Sequence, residues 1–347
     1  MKNILIITQK IDKNDDVLGF FNAWVSEFSK HFNKVLVVCL EKREYDLPNN
    51  VRIFSLGKEN GHSRIKYLKN FYKYIFGLRK EYDVVFVHMN PIYVVLGGFF
   101  WKIWGKKILL WYTHKSVDLK LQIAKKFSDH IFTATKESFR LSSKKLHILG
   151  HGIETEKFIC ERAINVPPAK ILHMGRITKI KNLDILVEAF AILKQDLPNL
   201  KLIFAGATIT PIDKEYMGDI KDLIGKRGLV SDITFKEVSY DGIAGEFCQA
   251  DLTVNLTPTG GLDKAVLSGL ISKRPTFTSN EAFRDILGEY SERFIFKYRD
   301  PHDLASKIKA FIASKDQDLA MNYLSEKVRK DFSVETLVAK IIKYAGR

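Results

Sequence analysis

The sequence predicts an α/β protein built from two Rossmann-like, doubly wound parallel-sheet domains facing a central cleft. Short apolar, β-branched runs alternate with longer stretches of helical periodicity, the rhythm of βαβ units. That rhythm starts afresh after a linker-like stretch, 161–168 (ERAINVPP). The chain has 347 residues, 46% hydrophobic and 27% charged, which suffices for two cores and excludes extended disorder.

In the first half, strands are expected at 4–8, 34–40, 51–55, 84–88, 108–112, 130–133 and 147–149. Helical patterns lie between them at 19–31, 63–80, 92–104, 117–126 and 135–141. In the second half, strands are expected at 169–173, 200–205, 233–235, 252–256, 275–278 and 294–296. Its helices are expected at 182–196, 216–227, 243–249, 264–271, 283–288 and 301–314. The domains therefore span 1–160 and 161–330, with 331–347 expected as a helix returning to the first domain. Ligands of such folds bind beyond the carboxyl ends of the strands.

Charge is divided unevenly. There are 55 Lys and Arg against 40 Asp and Glu, a formal +15. Residues 1–150 hold 26 basic and 13 acidic side chains, whereas 151–347 hold 29 and 27. A basic excess confined to one half predicts a polyanionic partner there, such as an anionic membrane surface. The densest segment, 62–80, has six basic residues and no acidic one, with Ile65, Leu68, Phe71, Tyr72 and Ile75 at helical spacing. Such a helix either lies in a lipid interface or packs its aromatics on the core with its lysines solvated. No zinc-finger, RRM or helix-turn-helix signature accompanies the charge, so nucleic acid is not expected.

Cys39, Cys160 and Cys248 are far apart and form no CxxC. A disulfide framework is therefore unexpected, and a reducing compartment fits best. The opening apolar run is only strand-length, and the longest apolar stretch, 91–101, is about half of a membrane span. These features predict a cytoplasmic protein, or one peripheral at the inner face of a membrane. The nine histidines show no metal-binding spacing, so neither a metal nor a cofactor is expected.

Two segments carry chemistry. In 173–182 (HMGRITKIKN), a strand ends at Gly175 and two cations, Arg176 and Lys181, precede a helix. Glycine permits a tight turn, while a guanidinium fork and an ammonium suit a diphosphate. In 257–267 (TPTGGLDKAVL), paired glycines follow a strand and open a helix, where backbone amides can approach a phosphate. Asp263 there is also an ordinary helix cap. His88 and His114 end strands of the basic half, and the 12–19 loop follows the first strand.

Taken in order across essentially the whole chain, these segments resemble the retaining glycosyltransferases of family 4, which have the GT-B fold. The stretch 150–158 (GHGIETEKF) is similar to that family's interdomain signature, and Ala250-Asp251 ahead of Pro258 to another of its patterns. The stretches 87–91 (VHMNP) and 111–115 (WYTHK) are similar to strand ends that face the acceptor. The resemblance implies donor binding by Gly175, Arg176, Lys181, Val238, Gly260, Gly261, Leu262, Lys264 and Ser268. It implies acceptor binding by Asp16, Gly19, His88 and Asn90, and catalytic roles for His114 and Asp263. One departure is clear. Counting back from Pro275, the family's two glutamates fall at Gly260 and Ser268, and its glycine falls at Lys273.

The implied reaction moves a sugar from a nucleotide-diphosphate sugar to a glycan or lipid-linked acceptor, with retention and without a metal. Two alternatives share the fold: a non-catalytic nucleotide-sugar or glycan-binding homologue, and a sugar-nucleotide epimerase.

Overall fold

The computed structural model describes residues 2–15 and 17–346. Asp16, expected at the acceptor, lies outside the described residues. The chain forms two compact units: Met1–Glu154 with Ser333–Arg347, and Thr155–Phe332.

The first unit holds seven strands: β1 (Ile4–Ile11), β2 (Val35–Lys42), β3 (Val51–Ser55), β4 (Val84–His88), β5 (Lys107–Trp111), β6 (His130–Thr133) and β7 (Leu146–Ile148). All pair in parallel, in the order β3-β2-β1-β4-β5-β6-β7. Successive side chains of a strand point to opposite faces, and here both faces are covered. Ile4 and Ile6 pack with Trp24 and Phe28 of helix Phe21–Ser29, and with Leu337 and Ile341 of helix Val334–Gly346. Leu5 and Ile7 pack with Phe71 and Ile75 of helix Arg64–Gly77, and with Trp101 of helix Pro91–Ile103. The last helix thus completes the first unit's core. Its entry is fixed by Val334 N–H donating to the Ile153 carbonyl (3.0 Å), while the Trp24 indole donates to the Gly152 carbonyl (3.1 Å).

The second unit holds β8 (Lys170–Met174), β9 (Lys201–Ala205), β10 (Ile233–Lys236), β11 (Leu252–Asn255) and β12 (Thr276–Thr278), in the parallel order β10-β9-β8-β11-β12. Its main helices are Leu183–Lys194, Pro211–Lys226, Ile243–Gln249, Lys264–Ile271, Pro301–Ala313 and Gln317–Phe332. Each sheet reverses its strand order once: between β1 and β4, and between β8 and β11. Such switch points open a crevice at the carboxyl ends of the strands.

Four expectations are corrected. Thr155–Phe158 is a 3-10 turn of the second unit, so the division precedes residue 160. Residues 135–141 form only the turn Lys136–Ser138, where the Thr135 side chain accepts from the Ser138 amide; Phe139 and Leu141 beyond it pack on the core. Residues 294–296 form no strand: Ser291–Phe294 is helical, and Ile295 makes a single bridge to Thr278. Finally, Cys160 and Cys248 form a disulfide, their Cα atoms 5.1 Å apart, while Cys39 is free and buried. Distance along the chain did not measure distance in the fold, and a reducing compartment no longer follows from the cysteines.

Candidate functional site

The second unit's site is built at the β8/β11 switch. β8 ends at Met174, and Gly175 follows with φ 148°, in the region glycine tolerates; Gly206 after β9 has φ 149°. The two backbones are pressed together: a Cβ on Gly206 would lie 2.1 Å from the Gly175 carbonyl oxygen. The chain then turns outward through Arg176. Its guanidinium is exposed and makes no hydrogen bond or ion pair among the described residues. Buried Ile177 anchors the turn, and Asn182, at φ 46°, starts helix Leu183–Lys194 while its amide donates to the Leu256 carbonyl (3.0 Å).

Lys181 returns towards β11. Its ammonium donates to the Thr257 hydroxyl (3.1 Å) and to the Asp263 carboxylate. Asp263 also accepts from the Asn255 amide (2.9 Å), the Thr257 hydroxyl (3.2 Å) and the Ala265 amide (3.1 Å), which caps helix Lys264–Ile271. Burial by itself would raise this carboxyl's pKa. The Lys181 charge and the hydrogen bonds outweigh it and hold the group well below the usual carboxylate range. Asp263 therefore stands as a cap and a counter-ion rather than as a proton carrier. Beneath Lys181, His173 donates from Nδ1 to the Val254 carbonyl (3.0 Å), and burial pushes its pKa down to about 4.

The glycine loop is clamped by a residue that motif reading missed. Asn280 is fully buried, accepts from the Gly260 amide (3.3 Å) and donates to the Gly261 carbonyl (2.9 Å). Leu262 is buried, Lys264 is half-buried at the helix start, and Ser268 is buried on the same helix. Val238 packs with Phe247 and Leu172 and makes part of the wall. Asn255 and Asn280 carried no pattern in the sequence; their only signal is position, at the end of β11 and just after β12.

Asp251 serves structure. Its carboxylate accepts from Arg162 (2.8 Å) and from the amides of Asn165 (2.9 Å), Ala169 (2.9 Å) and Lys170 (3.0 Å), tying down the 161–168 stretch. Arg162 and buried Arg274 meanwhile donate to carbonyls at the end of helix Ile243–Gln249, where unsatisfied acceptors need partners.

In the first unit, the expected residues gather at the ends of β1, β4 and β5. His88 lies inside rather than at a surface: it is 2% exposed, stacks on Phe21 at 4.1 Å, and its Nδ1 is 3.2 Å from the Thr8 hydroxyl. Met89 follows with φ 64°, a strained value for a side-chain-bearing residue and one that clusters at functional sites. Asn90 starts helix Pro91–Ile103 without capping it. His114 is exposed and accepts from the Ser116 amide (3.1 Å). Gly19 donates to the Asp15 carbonyl (2.8 Å), and Asp15 holds the 12–19 loop through Lys10 (2.7 Å) and the Leu18 amide (2.7 Å).

Comparison with known proteins bears on the family and the fold. Over 203 residues the chain is 25% identical to "Putative glycosyltransferase EpsD" of Bacillus subtilis (strain 168), covering 53% of this chain and 51% of that protein, so the match spans about half of its relative's length. Anabaena HepE, solved in complex with UDP and glucose, has a TM-score of 0.75 at 15% identity, with 99% of each chain covered. Sucrose-phosphate synthase from Thermosynechococcus elongatus has a TM-score of 0.76 at 13% identity, covering 99% of this chain and 98% of that one. The two parallel units are those of the GT-B fold. Residues 154–331, more than half of the chain, match the family described as glycosyl transferases group 1, and the chain belongs to that family.

Proposed function

We propose that the protein transfers a glycosyl group from a nucleotide-diphosphate sugar to an acceptor alcohol, with retention of configuration, as family 4 enzymes do. The observation that carries this is the exposed Arg176 guanidinium beside the Gly175–Gly206 backbone pair at a switch point. HepE, of the same fold, is described with UDP and with glucose.

In this reading the diphosphate lies over Gly175. Arg176 grips it with two parallel N–H donors, and Lys181 supplies a second charge by exchanging Asp263 for phosphate. The start of helix Lys264–Ile271 adds its dipole. These groups stabilise the charge that builds on the leaving diphosphate, which is where catalytic binding energy acts. Two cations balance the diphosphate, so no divalent metal is required. The bond from the anomeric carbon to the diphosphate oxygen breaks, the acceptor oxygen bonds to that carbon on the same face, and the leaving phosphate takes the acceptor's proton; attack on the face of departure gives retention. Ser268 offers one hydroxyl where the family offers a ribose-binding carboxylate.

The acceptor is a glycan or lipid-linked alcohol, met by the basic first unit from an inner membrane face. One observation favours a second reading, a binding homologue without turnover: the Lys181–Asp263 pair competes with phosphate for Lys181. Turnover separates the two. A panel of UDP- and GDP-sugars is expected to yield free nucleoside diphosphate from one member, with retained anomeric configuration in the product. Binding without release throughout the panel would leave the second reading.

A further inference from the structure

Two helices of the first unit leave an apolar face uncovered. Helix Arg64–Gly77 buries Phe71 and Ile75 on the sheet, so half of this aromatic segment belongs to the core. Its other side presents Ile65, Leu68 and Phe76 to solvent, with Ile65 71% exposed. Residues 65, 68, 72 and 76 recur three and four apart and form one stripe. Helix Pro91–Ile103 extends it. The Phe76 ring meets Phe100 at 4.9 Å and Trp104 at 5.0 Å, and Tyr72 meets Phe100 at 6.0 Å. This second helix adds Phe99 and Ile103, 57% and 66% exposed. The surface is contiguous, unlike the scattered single hydrophobics that any protein shows.

Cations accompany it along the first of these helices. Arg64, Lys66, Lys69, Lys73 and Lys80 are all exposed, and none has a carboxylate within ion-pair distance among the described residues. No helix among the described residues is long and apolar enough to cross a membrane, so such a face would lie in an interface rather than span it.

We propose that this two-helix face docks on an anionic lipid bilayer, with Ile65, Phe76, Phe99 and Ile103 at the headgroup–acyl boundary and the cations on anionic headgroups. Charge selects this occupant. A second copy of the chain would set five unpaired cations against five more. A bilayer accepts aromatic rings at its boundary and offers anions around them, over an area wide enough for both helices. The proposal deepens the acceptor reading, since a bilayer would display a lipid-linked acceptor, but it uses no residue of the donor site.

The test is co-sedimentation of the full chain with phosphatidylcholine vesicles, with and without one third phosphatidylglycerol, at low salt. Binding to the anionic vesicles is expected, weakened by high salt. Half-buried Trp104 should shift its emission to the blue on binding, the other three tryptophans already being buried. Ile65→Ser/Phe99→Ser/Ile103→Ser changes only exposed side chains and should keep the melting temperature, yet lower binding at least tenfold and abolish the blue shift. Lys66→Gln/Lys69→Gln/Lys73→Gln should lower binding about fivefold for each charge removed. Nucleotide binding should survive in both triple variants, which separates this proposal from the donor-site reading. Three results would overturn it: no binding to anionic vesicles at low salt, binding that the apolar triple leaves unchanged, or a dimer that the apolar triple dissociates.

Discussion

The Lys181 ammonium is bound to the Asp263 carboxylate, and that carboxylate also caps helix Lys264–Ile271 through the Ala265 amide. One side chain thus neutralises the cation proposed for the diphosphate and fixes the helix that follows the glycine loop. Asp263→Asn keeps an oxygen for the cap and removes the counter-ion. The variant should lose about 2 kcal/mol of stability, the scale of a hydrogen bond to a charged group. Its melting temperature should rise more on adding UDP than the wild type's does, because Lys181 no longer leaves a carboxylate to reach phosphate. An equal or smaller rise would show that Asp263 does not compete for Lys181.

Lys273 closes the same helix in a left-handed conformation, φ 54°. Its amide donates to the Leu270 carbonyl (3.0 Å), and the Arg274 amide donates to that of Gly269 (2.9 Å), the pairing of a glycine-terminated helix end. The family's glycine falls at this position, and the backbone has kept the geometry without the residue. Lys273→Gly should therefore stabilise the protein by about 1 kcal/mol, as a higher denaturant midpoint at unchanged slope.

Two glycines should respond oppositely to alanine. Gly206→Ala places a Cβ against the Gly175 backbone, where no side chain can yield, so it should cost on the order of 3 kcal/mol and disturb nucleotide binding. Gly218, exposed in helix Pro211–Lys226, would have no atom within 4 Å of an added Cβ. Gly218→Ala should stabilise by about 1 kcal/mol through helix propensity alone. Chemical denaturation of both variants checks the signs.

His173 should make stability depend on acid. The unfolded imidazole takes its proton near 6.5, whereas burial, reinforced by Lys181, holds the folded one neutral down to about 4. The unfolded state therefore binds more protons within that window. The contribution is complete above pH 6.5 and is lost as pH falls to about 4, on the order of 3 kcal/mol in all. His130 and His147, 3.1 Å apart, are shifted in the same direction, first by burial. The comparison is therefore with His173→Gln, whose melting temperature should fall less steeply between pH 6.5 and pH 4. Parallel curves would contradict the assignment.

The strands were legible because parallel strands buried on both faces read as unbroken apolar runs, as in β2 and β4. The Gly175–Arg176–Lys181 turn was legible because its parts are consecutive and follow a strand. Its partners were not. Asn255 and Asn280 reach the site from over seventy residues away, and an asparagine at a strand end has no periodicity to betray it. A place at a strand end predicts that His88 faces a ligand, but packing by Phe21 sets the ring within the core. In helix Arg64–Gly77 the repeat of apolar residues was visible. Which of its faces was buried depended on a neighbouring helix and could not be read locally.

The proposal for the donor is that Arg176 and its turn hold its diphosphate. Its most direct test is calorimetric titration of UDP and GDP into the wild type and Arg176→Ala. One nucleotide should bind the wild type, and Arg176→Ala should weaken that binding between tenfold and a hundredfold, the loss of charge-assisted hydrogen bonds. No binding of either nucleotide to the wild type, or equal binding to the variant, would contradict the account.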